Sequence, residues 1–396
     1  MSRGRAREEN RVKRKILSRR AFVAASAAAG AAVLVVAPRP ATGKKLMKTS
    51  FTILHTNDMH SNFIGMGPAS DYTPFTLNDD KTRGGYARLA ALIAKRMVAR
   101  QDHGPVLVLD AGDYSMGTPF AAATREIGGE LQLMGRMGYD ATTFGNHEFD
   151  LGPDGLGKSI SVAVRSGRVP AILAANTRVE GTDATLAELQ RLSRDGVIRH
   201  YLVIERGGVR FGIFGVIGKE AIFYTTAGAH SFSDAIESAR ETVKILRETE
   251  HVDVVICLSH GGVSKDKSGN YTEGDDVALP KAVPGIDIVI GGHSHTELAE
   301  AIMVNGRTPV VQSGLEGRNL GELVITMDGN TLKVESYVLH PIDDSIAGDR
   351  GIAEEIDYLK KSVTAAVFAS RGYSIDQPLA MTTQDLPNTF TDVTAS

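Results

Sequence analysis

The sequence predicts an α/β fold in which two mixed sheets pack face to face with helices outside, a four-layer α-β-β-α sandwich. Three observations lead there. Short runs of β-branched and apolar residues alternate with amphipathic stretches of helical length. Glycine-containing turns join some of these runs into hairpins, so antiparallel pairs must sit among parallel ones. Apolar content of 42% and charged content of 23% are normal for a globular chain, and 396 residues suffice for one large domain or two ordinary ones.

Taken in order, the first strand is Phe51-Thr52-Ile53-Leu54, which runs into HTNDMH. A helix over 85–100 follows, then the strand Val106-Leu107-Val108-Leu109, which runs into DAGD. A helix over 120–137 leads to Ala141-Thr142-Thr143-Phe144 and the turn GNHEFD. Runs at 201–204 and 210–214 flank Arg206-Gly207-Gly208 as a hairpin. A helix over 234–250 precedes Val254-Val255-Ile256-Cys257-Leu258 and SHGG. A shorter helix over 276–282 precedes Ile286-Asp287-Ile288-Val289-Ile290 and GGHSHT. Runs at 323–327 and 331–337, joined through Asp328-Gly329-Asn330, form a second hairpin, and a last helix spans 352–370. There is no internal repeat.

Five strands thus end in a turn that presents Asp, Asn or His. In layered α/β folds, ligands gather at the carboxyl ends of strands, where side chains from distant segments converge. One such turn is ordinary loop chemistry, and a single histidine in it is more often a packed residue than a ligand. Five turns carrying the same class of side chain are not. Asp58 and His60 are two apart, which on an extended segment places them on one face. His293 and His295 share that spacing, while Asp113, Asn146 and His260 arrive singly. Seven mixed oxygen and nitrogen ligands exceed one ordinary site, whereas two divalent ions sharing a carboxylate would use them all. The mixture suits Mn, Zn or Fe better than Ca or Mg.

ILHTNDMHS, DAGD, FGNHEFDLG, SHGG and GGHSHT, in this order, resemble the calcineurin-like metallophosphoesterases. They are most similar to the catalytic domain of the 5′-nucleotidase branch, which also hydrolyses 2′,3′-cyclic nucleotides and nucleotide sugars. The resemblance covers residues 49–339. It implies one metal held by Asp58, His60, Asp113 and His295, and another by Asp113, Asn146, His260 and His293, with Asp113 bridging. Some members carry Gln where this chain has His295. It further implies that His147 and Asp150 are a catalytic dyad, the imidazole facing the phosphate and the carboxylate orienting it. Glu148 then supports the site or caps the next helix. The implied activity is that of a two-metal phosphoesterase, acting on nucleotides foremost.

Other residues read more plainly. His55 lies inside the first strand and is expected to be a packed, hydrogen-bonded histidine. His103, His200, His230, His251 and His340 are also left out of the site. Arg88 matches a recurring family position, but a surface or helix-packing role serves equally. Cys257 sits in a strand core and lacks the cationic surroundings of a reactive thiol; alone, it forms no internal disulfide.

The formal charge of −3 hides an asymmetry: residues 1–43 carry +8 and the rest −11. So acidic a body is not expected to hold nucleic acid stably, because it lacks the cationic surface that displaces phosphate counterions. The basic start runs into LSRRAFVAASAAAGAAVLVVAPRP, whose apolar stretch is short and mildly hydrophobic for a spanning helix. Ser18-Arg19-Arg20-Ala21-Phe22 resembles a twin-arginine export signal, which carries folded proteins out of the cytoplasm. The expected organisation is an export signal and linker over 1–43, a catalytic domain over 44–345, and a helix with a polar tail over 346–396. Membrane contact is expected only through an uncleaved signal.

The further domain that supplies base-stacking aromatics in the nucleotidase branch is expected to be absent. Substrate contacts would then come from rim segments over 61–83 and 261–275, whose Phe63, Tyr72, Phe75 and Tyr271 either stack substrate or pack the loops, or from a partner chain. Two other readings stand beside the leading one: a thiosulfohydrolase-like sulfur-ester hydrolase, and a metal- or ligand-binding module without turnover.

Overall fold

The structure is a computed structural model that describes residues 48–67, 72–329 and 331–379. The export signal read over 1–43 and the tail beyond residue 379 lie outside the described residues. In chain order the sheet strands are β1 (Thr49–Thr56), β2 (Val106–Asp110), β3 (Ala141–Thr143), β4 (Ala171–Leu173), β5 (Ile198–Arg199), β6 (Tyr201–Arg206) and β7 (Val209–Ile217). Then come β8 (Val254–His260), β9 (Ile288–Gly291), β10 (Ile302–Val304), β11 (Thr308–Val311), β12 (Asn319–Asp328) and β13 (Thr331–Pro341). The helices that matter for packing are α1 (Tyr86–Arg100), α2 (Gly129–Met137), α3 (Gly152–Ser166), α4 (Ala187–Arg194), α5 (Ala235–Lys244), α6 (Asp275–Ala282) and α7 (Arg350–Val363).

A seven-stranded sheet has the order β13-β12-β1-β2-β3-β4-β5, and a six-stranded sheet the order β10-β11-β9-β8-β7-β6. Both are mixed. β1 to β5 run parallel, with β12 and β13 added antiparallel at one edge. In the second sheet β7, β8, β9 and β11 are parallel, and β6 and β10 are antiparallel at the two edges.

Period-two alternation explains the layering. Phe51, Ile53, Leu107 and Leu109 of the first sheet meet Phe211, Ile213, Val254, Ile256, Ile288 and Ile290 of the second in one buried cluster. The intervening residues face outward. Leu54, Val106 and Val108 pack beneath α1, α2, α3 and α7. Phe214, Val216, Val255, Cys257 and Val289 pack beneath α5 and α6. Strands apolar on both faces are what burial between two layers demands. The predicted four-layer sandwich is the observed one, and the final helix belongs to its first-sheet side.

Some elements differ. The helix expected over 120–137 is broken at Gly128, which adopts a left-handed φ of 60°, so that α2 starts at Gly129. A Cβ at Gly128 would lie 2.5 Å from the Ser159 carbonyl oxygen. The helix expected over 234–250 is α5 followed by a wider π-type turn, Ile245–Thr249. Sequence reasoning missed α3, because GPDGLG reads as a loop by propensity. There the glycines serve close packing: a Cβ on Gly157 would lie 2.9 Å from Glu188 Cβ. β4, β5, β10 and β11 were too short to stand out.

His55 is buried and stacks on Tyr337 with ring centroids 5.8 Å apart. Neither ring nitrogen has a hydrogen-bond partner, so the expected hydrogen bond is corrected to packing alone. Burial pushes its pKa down to about 3 from 6.5. The unfolded chain therefore takes up a proton that the folded chain refuses, and stability falls as pH drops between those values. Between pH 6.5 and 5, wild type is expected to lose roughly 2 kcal/mol more than His55→Leu. Urea unfolding in chelator-containing buffer at both pH values measures this.

Candidate metal centre

The loaded turns meet at one end of the sandwich, past the carboxyl ends of β1, β2 and β3 in one sheet and β8 and β9 in the other. Asp58, His60 and His295 bring ligand atoms within 4.8 Å of one another, as do His60, Asp113 and His147, and Asp113, His260 and His293. The Asp113 Oδ2 atom lies 3.1 Å from His260 Nε2 and 3.5 Å from His60 Nε2. Asp58 Oδ1 lies 3.5 Å from His295 Nε2 and 3.9 Å from both His60 Nε2 and His260 Nε2. Asn146 Oδ1 is 3.0 Å from His293 Nδ1. All seven residues expected to be ligands are therefore together.

The backbone that brings them together is not the extended segment that the i, i+2 spacing suggested. Asp58, His60, Asp113, His293 and His295 all lie at positive φ, between 48° and 73°. Such left-handed conformations cost non-glycine residues energy and persist only where surroundings hold them. Here they are held. The Asp58 amide donates to Gly112 O at 2.9 Å and the His60 amide to Asp113 O at 3.0 Å. The His293 amide donates to the Asp58 carboxylate. Gly145 allows the closest approach, since a Cβ there would fall 2.1 Å from Asp113 Oδ1.

Several supporting residues escaped sequence reasoning. Asn57 donates to Asp58 Oδ2 at 2.6 Å and to Gly314 O, while accepting from the Ser313 amide. Asp110 accepts from Thr56 Oγ1 and Thr142 Oγ1, tying together the ends of β1, β2 and β3. Gln312 accepts from the Thr296 amide and donates to Gly292 O, bracing the turn that carries His293 and His295. Asn57 and Asp110 stand inside the motifs and were visible there; nothing local marks Gln312.

Of Glu148's two expected roles, the supporting one is found. Buried, it accepts the amides of Asp113 at 3.0 Å, Ser115 at 3.1 Å and Gly145 at 2.6 Å. Glu148→Ala would leave three buried N–H groups unpaired. It is expected to cost roughly 3–5 kcal/mol of stability and about 10–100-fold in cation affinity. Thermal unfolding of metal-free protein and a Mn²⁺ titration measure the two effects.

His147 Nδ1 lies 2.9 Å from Asp150 Oδ2. Burial depresses the His147 pKa, but Asp150 and Asp113 more than offset this and hold it above the usual value. Burial acts the same way on His260, where Asp113 and Asp58 push the pKa up to about 10. Two buried carboxylates thus draw positive charge to this spot. The Nε2 atoms of His60 and His260 are buried without any hydrogen-bond partner. Unpaired buried nitrogens facing carboxylates are suited to divalent cations, and the donor set fits them.

The rim is now clear. Arg88 is no surface residue: it is fully buried, 2.6 Å from Asp80 and over the ring of Tyr72. Phe63 packs with Tyr86 and Phe120 in the core. Phe75 lies under Arg350, and Tyr271 under Lys265. Phe63, Tyr72 and Tyr271 pack against neighbours, while Phe75 stays 45% exposed beneath Arg350. The exposed aromatics beside the site are instead Phe223, 82% exposed, and Tyr224, 59% exposed, with the Tyr224 ring 5.9 Å from that of His293.

The sequence profile of the family described as Calcineurin-like phosphoesterase matches residues 51–297, a span that contains every one of these turns. The chain belongs to that family. The chain is 34% identical over 326 residues to the 5'-nucleotidase of Mus musculus, covering 77% of this chain and 51% of that protein. It is 28% identical over 348 residues to the "Trifunctional nucleotide phosphoesterase protein YfkN" of Bacillus subtilis, covering 82% of this chain and 21% of that one. Among solved structures, the 5'-nucleotidase precursor from Thermus thermophilus superposes with a TM-score of 0.64 at 27% identity, over 81% of this chain and 60% of that chain. This chain spans about half the length of the 5'-nucleotidases it matches. Members of the calcineurin-like phosphoesterase family use dinuclear metal centres. Among the described residues, no helix is long and apolar enough to cross a membrane.

Proposed function

We propose that this calcineurin-like chain is a two-metal phosphoesterase that hydrolyses phosphate esters by water, nucleotides foremost. One observation carries the reading: Asp113 faces the unpaired nitrogens of His60 and His260 at once, with the His147–Asp150 pair alongside. Asp58, His60, Asp113 and His295 would hold one cation, and Asp113, Asn146, His260 and His293 the other. When bound, such a pair lowers the pKa of water and offsets charge on phosphoryl oxygens. Asp150 fixes the His147 ring through Nδ1, which leaves Nε2 to carry the proton that the departing oxygen needs. No Ser or Cys nucleophile is required.

The nucleotide preference draws support from the relatives, which are 5'-nucleotidases and a trifunctional nucleotide phosphoesterase. The domain plan also stands as a proposal: an export signal of twin-arginine type over 1–43, a catalytic domain over 44–345, and an extension over 346–396. Export to the periplasm or beyond follows from that signal. The testing experiment is release of phosphate by Mn²⁺-, Zn²⁺- or Fe²⁺-loaded protein from AMP, 2′,3′-cyclic AMP and p-nitrophenyl phosphate, against sulfate or thiosulfate release from sulfur esters. Turnover on phosphate esters alone is the expected result. Turnover only on the sulfur esters, or on none, rejects the reading.

A further inference from the structure

After β7 the chain makes the helical turn Lys219–Phe223, which ends at the rim of the metal centre in two adjoining aromatic rings. Phe223 and Tyr224 have ring centroids 5.4 Å apart and planes at 88°, and among the described residues no other two exposed aromatics touch. Tyr224 leans on His293, whereas Phe223 meets no ring but Tyr224 and leaves most of its surface free. A single exposed apolar side chain is ordinary, but two together beside a polar centre mark a contact surface. The backbone beneath them is fixed. The Gly218 amide donates to His260 O at 2.8 Å, the Glu220 amide to Asp275 Oδ2 at 3.3 Å, and the Tyr224 amide to Ala221 O at 3.0 Å. Ala221 itself is buried. The rings are therefore held at a set place relative to the strand end that carries His260.

We infer that Phe223 and Tyr224 form a stacking platform for the base of a nucleoside monophosphate whose phosphate lies at the metal centre. The inference rests on the phosphoesterase reading above and narrows its substrate class to esters whose alcohol ends in a flat aromatic ring. Spacing favours that occupant. The Tyr224 ring stands 5.9 Å from the His293 ring, and the Phe223 ring lies next to it. A phosphate held by the cluster is thus separated from Phe223 by about the span of a pentose. The chemistry of the rim favours it too. A base has an apolar face that stacks on an aromatic ring and polar edges that stay in water, and an exposed ring serves both. Because the backbone is already ordered, little entropy is lost when the base arrives. The base lies on Phe223, the freer ring, and the sugar passes Tyr224.

Steady-state kinetics of the Zn²⁺-loaded protein on AMP and on ribose 5-phosphate, which lacks only the base, test the platform. Phe223→Ala is expected to lower the ratio of kcat/KM for AMP to that for ribose 5-phosphate by about 5–30-fold, the usual worth of one stacked base. Phe223→Trp should keep that ratio and, since the chain has no tryptophan of its own, adds a readout independent of turnover. Its emission, followed after rapid mixing, should be quenched by AMP and not by ribose 5-phosphate. An unchanged ratio in Phe223→Ala, or emission that AMP quenches no more than ribose 5-phosphate does, would overturn the platform and leave the phosphoesterase reading standing. An oligomer that dissociates in Phe223→Ala with the ratio unchanged would assign the pair to contact between copies of this chain. Hydrolysis of neither ester by wild type, with AMP still quenching Phe223→Trp, would overturn the phosphoesterase reading and not the base contact.

Discussion

An Asp113→Ala variant is expected to lose both cations, with metal content falling from about two per chain to near zero and turnover dropping by about 10⁴ or more. The reason is geometric. Oδ2 is the carboxylate atom nearest to both His60 and His260, and Oδ1 accepts the His147 amide at 2.9 Å. Removing the side chain takes a ligand from each half of the cluster and halves the negative charge that Asp58 and Asp113 supply together. Asn146→Ala, by contrast, touches one half only and should leave about one cation per chain. Asp113→Asn keeps the shape while removing the charge. Metal content at the wild-type level in Asp113→Asn, measured by atomic emission on folded protein, would mean that Asp113 does not bridge.

The second large effect is expected from His147→Ala. Both cations should remain, while turnover falls by about 10²–10⁴, the usual worth of one acid–base group. The loss should depend on the leaving group. An alkyl phosphate needs its departing oxygen protonated, whereas p-nitrophenolate leaves readily without a proton. The deficit should therefore be larger for ribose 5-phosphate than for p-nitrophenyl phosphate. Asp150→Asn should give a smaller loss of the same kind, since it holds the ring without meeting the substrate. Equal deficits on both esters would place His147 against the phosphoryl charge instead.

The outline of this molecule was open to reading because burial between two layers leaves a strong mark. Phe51 to Leu54, Val106 to Leu109 and Val254 to Leu258 are apolar on both faces, and only a doubly covered strand needs that. The ligands were legible for a related reason: polar side chains directly after such strands have no packing role to explain them. What stayed hidden depends on contacts across long sequence separations. The positive φ of Asp58 and His60 is held by Gly112 and Asp113 more than fifty residues on, so the spacing pointed to the right pair by the wrong backbone. Gln312 braces a turn from just past β11, which carries no motif. α3 folds because its glycines let α4 approach, which propensity alone scores against. Phe63 and Tyr271 sit in rim segments where packing and stacking look alike until the neighbours are seen.

The central claim is that side chains from five turns hold two cations around Asp113. Anomalous diffraction from crystals of the Mn²⁺-loaded protein tests it most directly. Two peaks about 3.5–4 Å apart, both within bonding distance of the Asp113 carboxylate, are the expected result. A single peak, or two peaks that do not share Asp113, would contradict it.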